Sequence, residues 1–437
     1  MSGSAGHFDS GPHLKAFPPP SWGHPVADLV TAGTTLDAFT TPVLTLDEAA
    51  IANNLAVMAK WTAERGVSLA PHGKTTMAPA LWRRQLAAGA VAITLATPWQ
   101  VQVARSAGVA RLLLANPLVD PVALSWARAE LDTHPDFSLT CWADSTHTVD
   151  LTAAGLSGAT QTASMGAQRR VDVLVELGGP GGRTGARSLE VAMSVARRIA
   201  AAPQLRLAGV GGYEGALAHD RTEQSLQSVR RYLAALRSLH QRLRADGLLE
   251  DSSMISVGGS AYFDEVVEAL AAESDEDTHV VLRSGAYVIS DDGFYADISP
   301  LATGRQSFRS AMHLWTRVLS RPEPGLALLD AGRRDLSTDE GFPTAQRVVG
   351  VPAHLAERWL QGSAVTAVND QHCFLRLCDA ATDVASRTSA EVLPVGSVVR
   401  LGMSHPCTVL DKWRAIPVVD DAGSDTPRLV DVIATVF

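Results

Sequence analysis

The chain is short of cysteine, of basic charge and of long apolar runs, and each shortage removes a class of function. Four cysteines in 437 residues (Cys141, Cys373, Cys378, Cys407) are too few and too irregularly spaced for a disulfide framework. Thiols that are free or metal-bound, in a reducing cytoplasm, are expected instead. Lysine and arginine number 37 against 46 aspartates and glutamates, a net charge of −9, and no basic stripe appears. That balance argues against a nucleic-acid or anionic-membrane surface and suits a soluble enzyme for small molecules. No run is long enough for a membrane span, and the first forty residues, rich in Gly, Pro and Ser, lack the form of a signal peptide. They read as a partly ordered arm. What the chain does have is 46% hydrophobic residues, enough for a sizeable core in two domains or in one barrel with an appendage.

From Thr41 onward, short β-branched or apolar runs alternate with Ala/Leu/Arg stretches of helical period, the pattern of strand–helix units around a parallel sheet. Eight runs are expected as strands: Val67–Ala70, Ala92–Ala96, Arg111–Ala115, Ser138–Trp142, Val171–Leu177, Leu207–Gly212, Met254–Val257 and Val280–Arg283. Eight such units close into a (β/α)8 barrel, whose active site lies at the C-terminal ends of the strands. After about Tyr295 the texture changes to short alternating strands: Ala311–Leu319, Leu326–Asp330, Val365–Asn369, Phe374–Leu377, Ser397–Leu401, Thr408–Leu410 and Ala415–Val419. These predict a second, mostly β domain. The expected organisation is an arm over 1–40, a barrel over 41–295 and a β domain over 296–437. The early strand Thr41–Leu46 fits a pairing with either domain. Leu151–Arg170 and Ala218–Glu250 hold more chain than one helix needs, which predicts longer helices or surface inserts.

Chemistry gathers at the predicted strand ends. Lys74 stands in Ser68-Leu-Ala-Pro-His-Gly-Lys-Thr-Thr76, at the mouth of the first strand, where a lysine is placed to form a Schiff base with a carbonyl cofactor; most lysines in such places are merely solvated. Gly258-Gly-Ser260 ends the seventh strand before a helix, so backbone N–H groups and the helix dipole point at an anion, a common phosphate site in barrels. Arg283-Ser-Gly-Ala-Tyr287 ends the eighth, with Arg283 and Tyr287 as further phosphate or substrate contacts, unless Arg283 serves an ordinary ion pair. Glu176-Leu-Gly-Gly-Pro-Gly-Gly-Arg-Thr-Gly185 is glycine-rich without a nucleotide fingerprint; Arg183 is its one strong donor, for a bound pyridoxal or for the loop itself. Tyr213-Glu-Gly215 places a hydroxyl and a carboxylate over the barrel mouth. In Ser404-His-Pro-Cys-Thr408, a strand conformation puts His405 and Cys407 on one face, where both are good zinc ligands, and Pro406 predicts an edge strand or bulge. Without other motifs a buried cysteine beside an unrelated histidine is the simpler reading. His372 and Cys373, being adjacent, point to opposite faces; His372 is still a candidate to face the site. Asp335 and Asp339, in an Asp- and Gly-dense loop, are candidate dimer-face or site contacts.

Taken in order, Pro71-His-Gly-Lys-Thr, Arg183-Thr-Gly, Tyr213-Glu-Gly, Gly258-Gly-Ser, Arg283-Ser-Gly-Ala-Tyr, Asp330-Ala-Gly, Gln371-His and His405-Pro-Cys-Thr make the chain from Thr41 to Phe437 resemble the D-serine dehydratase and D-threonine aldolase family. These are pyridoxal-phosphate (PLP) enzymes of the alanine-racemase fold, fold type III. The resemblance implies that Lys74 holds the cofactor and acts as catalytic base, with His72, Arg183, Tyr213, Arg283 and Tyr287 around the cofactor and Gly258, Gly259 and Ser260 at its phosphate. It implies that His405 and Cys407 bind zinc, or another divalent cation such as Mn2+, and that two subunits form a homodimer with the site between one barrel and the other's β domain. Relatives on the aldolase side often carry aspartate where this chain has Cys407, which is similar to the eukaryotic-type D-serine dehydratases. That favours elimination of water from a D-β-hydroxy amino acid such as D-serine, giving a 2-oxo acid and ammonia. The alternative is retro-aldol cleavage to glycine and an aldehyde. A rival of another class is a non-catalytic PLP-binding protein, for which a barrel alone would suffice. Many relatives have histidine directly after the Tyr-x-Gly glycine; this chain has Ala216, with His219 three residues later.

Overall fold

The computed structural model describes residues 8–157, 169–250, 252–304, 306–378 and 392–437. The first strand, β1 (Val43–Asp47), is buried along its whole length. It ends in Asp47, whose carboxylate accepts the Ala50 N–H at 2.8 Å and so caps the helix Glu48–Ala63, satisfying a donor the helix itself cannot pair. Eight strands follow in strand–helix units: β2 (Ser68–Leu69), β3 (Ile93–Leu95), β4 (Arg111–Pro117), β5 (Ser138–Ala143), β6 (Val171–Glu176), β7 (Leu205–Gly211), β8 (Ser253–Ser256) and β9 (Thr278–Leu282). They are parallel neighbours in the order β2-β9-β8-β7-β6-β5-β4-β3. The two ends meet through a parallel bridge between His72 and Thr94, with Val91 N–H on Leu69 O and Thr94 N–H on Pro71 O at 2.8 and 2.9 Å. All eight strands expected from the sequence are present, and they close a barrel.

Residues on alternating positions fill the barrel's interior: Leu113 and Ala115 on β4, Trp142 on β5, Leu174 on β6 and Ala208 on β7 form their own buried cluster. Side chains two apart on a strand share a face, so this layer is the floor on which a site at the strand ends rests. The helices bury their inner stripe against the outside. In Leu189–Ala200, capped by Ser188, the buried residues are Ala192, Met193, Val195, Ala196 and Ile199, a helical-period face. Ala218–Glu250 holds one long helix, Glu223–Ala245; of the expected insert at 151–170, residues 158–168 lie outside the described residues.

The remaining strands, β10 (Met312–Glu323), β11 (Leu326–Leu329), β12 (Thr344–Val348), β13 (Ala364–Val368), β14 (Cys373–Arg376), β15 (Val398–Gly402), β16 (Ala415–Val419) and β17 (Leu429–Ala434), build the β domain. Its sheet runs β13-β14-β11-β10-β1-β16-β17, with β15 pairing β10 and β12. The early strand β1 therefore belongs here, antiparallel to β10 and parallel to β16. The sequence reading missed β12, β17 and the helix Ala353–Leu360. It also misread Thr408–Leu410 as a strand: the segment makes two 3-10 turns, Pro406–Thr408 and Leu410–Lys412. Residues 8–40 form an ordered layer, with Leu14, Phe17, Val26, Leu36 and Phe39 buried against Val43, Trp315 and Val432 of the β domain.

Candidate active site

A cavity of about 550 Å³ opens at the C-terminal ends of the barrel strands. Lys74 reaches it from a 3-10 turn, Gly73–Thr75, directly after β2. The turn is pinned: Trp82 Nε1 donates to Gly73 O at 3.1 Å, and a Cβ on Gly73 would lie 2.7 Å from that same nitrogen. His72 precedes it, its N–H on Arg283 O at 3.1 Å. Burial, then the positive charges of Lys74, Arg283 and Arg183, hold the imidazole well below its ordinary pKa, so it is neutral.

Arg283 lies beneath, on the barrel floor. Its Nη1 donates to Ser256 Oγ at 3.0 Å, its Nη2 to Gly212 O, and its guanidinium stacks over Trp142 at 4.8 Å. Glu176, the last residue of β6, is 4% exposed, and its Oε1 accepts the Thr184 hydroxyl at 2.7 Å. Burial pushes this carboxyl up to about 7, partly opposed by the Thr184 hydrogen bond. The sequence reading passed over Glu176 as a site residue, although a carboxylate following the apolar stretch Val173–Val175 at a strand's end was the signal. Arg183 stacks on the Tyr213 ring at 4.9 Å, both facing the cavity, and desolvation pushes the Tyr213 hydroxyl up.

The glycine turn after β8 departs from expectation. The Gly258 and Gly259 N–H groups donate to the two carboxylate oxygens of Glu214, at 3.1 and 2.6 Å, and Glu214 is fully buried. Gly258 does not line the cavity, so the two amides expected at a phosphate are already satisfied by a protein carboxylate. Ser260 does line it, next to the 3-10 turn Ala286–Val288, whose first N–H donates to Ser260 Oγ at 3.3 Å. Tyr287 is a second correction. It is buried away from the mouth, its ring 5.9 Å from the Phe308 ring and its side chain near Gln85 in the helix layer. His372 is exposed and outside the cavity, whereas His219 lines it.

His405 and Cys407 face the same cavity from the β domain of the same chain. They converge, but on a turn and not on a strand edge. His405 is left-handed (φ 55°), a conformation disfavoured for residues with a Cβ. Asp291 holds it there: one carboxylate oxygen accepts the His405 N–H at 2.8 Å, the other accepts Gly293 and Tyr295 N–H at 3.0 and 2.8 Å. Behind the imidazole, Nδ1 lies 2.7 Å from Asp339 Oδ2. Burial opposes charge on His405, but hydrogen bonds to Cys407 and Asp339 carry it up to about 9. The Cys407 sulfur is 3.3 Å from Thr75 Oγ1, next to Lys74. Tyr295 and Phe294 flank His405, each with its ring centre 6.4 Å away.

Four buried polar atoms of cavity-lining residues have no partner: His72 Nδ1, Trp142 Nε1, Glu176 Oε2 and Arg283 Nε. Unpaired buried polar atoms are costly, and together they offer donors and an acceptor to a flat heteroaromatic ring beside a lysine, which fits PLP. For a metal, imidazole and sulfur with a carboxylate behind the imidazole suit a borderline-soft divalent ion. Among the described residues no group of three or more His, Cys, Asp and Glu is arranged to hold one, so the pair fits an ion that keeps its other positions for water or substrate.

A parallel barrel with a lysine after its first strand, joined to a β domain that reaches into its mouth, defines the alanine-racemase class of architecture. The sequence agrees. The alanine racemase N-terminal domain profile matches residues 46–272, more than half of the chain, and the serine dehydratase domain profile matches 311–419; the chain belongs to this family, the D-serine dehydratase and D-threonine aldolase group. It is 28% identical over 409 residues to a D-threonine aldolase of Arthrobacter sp., covering 93% of each chain. It is 26% identical to the D-threo-3-hydroxyaspartate dehydratase of Delftia sp. (strain HT23), over 89% of this chain and 97% of that one. The crystal structure of a D-threonine aldolase from Filomicrobium marinum superposes with a TM-score of 0.73 at 23% identity, covering 92% of this chain and 97% of that one.

Proposed function

We propose that the chain is a PLP-dependent lyase for D-β-hydroxy amino acids that eliminates water, as a D-serine dehydratase does, with zinc or a similar divalent ion on His405 and Cys407. The observation that carries this reading is the approach of two chemistries across one cavity: Lys74 on its pinned turn, and His405 with Cys407 beside Thr75. The full-length similarity to one aldolase and one dehydratase supports lyase chemistry.

When bound, PLP supplies a conjugated ring that accepts the electrons released at Cα, and the metal a Lewis acid at the β-hydroxyl. The protein's own residues do the rest. Lys74 would bind the cofactor and, once released by substrate, take the Cα proton as base. Arg183 offers its guanidinium fork to an anionic oxygen of cofactor or substrate. Neutral His72 and the unpartnered Trp142 and Arg283 N–H groups would hold the ring, and the Ser260 hydroxyl on the cavity wall would serve an anionic group. Asp339 orients the imidazole, and Phe294 and Tyr295 close off bulk water beside it.

A second reading is retro-aldol cleavage, favoured by the 28% identity to an aldolase over 93% of both chains. Product analysis decides. Purified protein loaded with PLP and zinc is given D-serine and D-threonine, with and without chelator. Chelator-sensitive pyruvate and ammonia from D-serine are expected; glycine and acetaldehyde from D-threonine without oxo acid would reassign the chain to the aldolases, and no product with a cofactor spectrum indifferent to D-amino acids would leave a non-catalytic carrier. A homodimer is part of the same proposal, supported by exposed Trp99 and Val122, in the first turns of the helices Pro98–Ser106 and Pro121–Thr133, and by exposed Val119 on the loop before the second; sedimentation tests it. The four cysteines are free, which suits a reducing cytoplasm.

A further inference from the structure

The N-terminal layer ends in a contact that leads to the metal side of the cavity. Lys15 lies 4.8 Å over the Trp413 ring, and its Nζ donates to Arg334 O at 2.5 Å and to Asp335 Oδ1 at 3.1 Å. Asp335 has a side chain only 5% exposed. Its other oxygen accepts the Gly332 N–H and Gln371 Nε2, both at 3.1 Å, and its carbonyl accepts Trp413 Nε1 at 2.9 Å. Four residues on, the same loop delivers Asp339 to His405, and the Thr408 hydroxyl, next to Cys407, lies 2.9 Å from both Ser337 Oγ and Asp339 Oδ2. One end of the 332–339 loop is thus fixed by a buried carboxylate, the other by the turn that carries both candidate metal ligands.

We propose that Lys15 is a positioning residue for the metal side of the site: by neutralising Asp335 and bridging it to Trp413, the N-terminal layer fixes the loop that aims Asp339 at His405. A buried carboxylate with two neutral donors gains a charged partner here, and charge-assisted hydrogen bonds are the strong ones. Without that partner the loop loses its anchor four residues before Asp339. A carboxylate behind a ligand imidazole sets the ring's orientation and its affinity for metal. The inference rests on the proposed metal role of His405 and Cys407.

The test uses the full-length, PLP-loaded, metal-stripped enzyme and titrates Zn2+ against a chromophoric chelator. Lys15→Met, which keeps the stem on Trp413, is expected to weaken Zn2+ binding about tenfold, the lower end of what outer partners command, and to lower kcat with KM for D-serine little changed. Lys15→Arg should restore both. Zn2+ affinity and kcat equal to wild type in Lys15→Met would overturn the proposal. So would a loss that Lys15→Arg fails to restore and that comes with equal losses of PLP affinity and melting temperature, the sign of general damage. If Lys15→Met gives no folded protein, Lys15→Gln takes its place. If wild type binds no Zn2+, the metal reading itself fails, and hydrogen exchange decides the brace: faster exchange in Lys15→Met confined to 332–343 upholds it, and unchanged exchange there ends it.

Discussion

Lys74→Ala is expected to abolish the long-wavelength absorbance of lysine-bound PLP and to lower turnover by roughly 10³-fold or more, since it removes linkage and base together. An absorbance spectrum of the purified variant checks the first half. Glu176 makes a separate prediction about pH. Its folded pKa, about 7, lies above its ordinary value of 4.5, so the folded chain holds this proton more tightly than the unfolded chain does. The stability it contributes is full below about pH 4.5 and lost as the pH rises through 7, with an upper bound of about 3 kcal/mol. Cofactor-free Glu176→Gln should therefore gain melting temperature over wild type at pH 8 and lose that advantage at pH 4.5; an equal difference at both values would refute the burial argument. At this scale the sequence shows its chemistry through glycines and prolines. Lys74, Arg183 and Ser260 sit in segments whose composition marks a strand end, and Asp339 in an Asp- and Gly-dense loop that marked it as a candidate contact, whereas Tyr295 sits among ordinary neighbours and acquires meaning only when the chain folds His405 against it. Gly258 misleads for the opposite reason: its amide is well placed for an anion, but that anion is Glu214.

Among the elements, the pairing of β2 with β9 bears most directly on the site. Gly285 follows β9, and a Cβ there would lie 2.4 Å from His72 O, a backbone atom two residues before Lys74. Gly285→Ala must push the Lys74 turn aside. The expected outcome is PLP affinity reduced at least about tenfold, with a loss of stability in the range of 1–3 kcal/mol typical of overpacking, read by cofactor titration and thermal melting. The eight barrel strands were legible because strands buried on both faces are continuous apolar runs. Edge strand β12, Thr344-Ala-Gln-Arg-Val348, has only Val348 fully buried and carries no such signal. The Thr408–Leu410 error has a local cause: β-branched residues suggested extension, but left-handed His405 and Pro406 start a turn that only the Asp291 carboxylate explains.

At the scale of the whole molecule, the two domains are not separable in sequence. β1 precedes the barrel yet lies between β10 and β16 in the other sheet. Residues 296–437 made alone would expose two facing strand edges, and are expected to aggregate or to lack a cooperative melt, whereas the full chain should unfold in one transition by calorimetry. The two-domain texture was visible in the sequence, but the crossing was not, because a strand of five buried residues reads the same whichever sheet it joins.

That crossing also sets a timetable. β1 leaves the ribosome first, but its antiparallel partner β10 begins at Met312 and its parallel partner β16 at Ala415. At the usual pace of synthesis the delay is on the order of tens of seconds, ample time for the barrel between them to fold. The nascent chain therefore carries a finished barrel with a bare apolar strand at its head, and the first strand to be made is among the last to be housed.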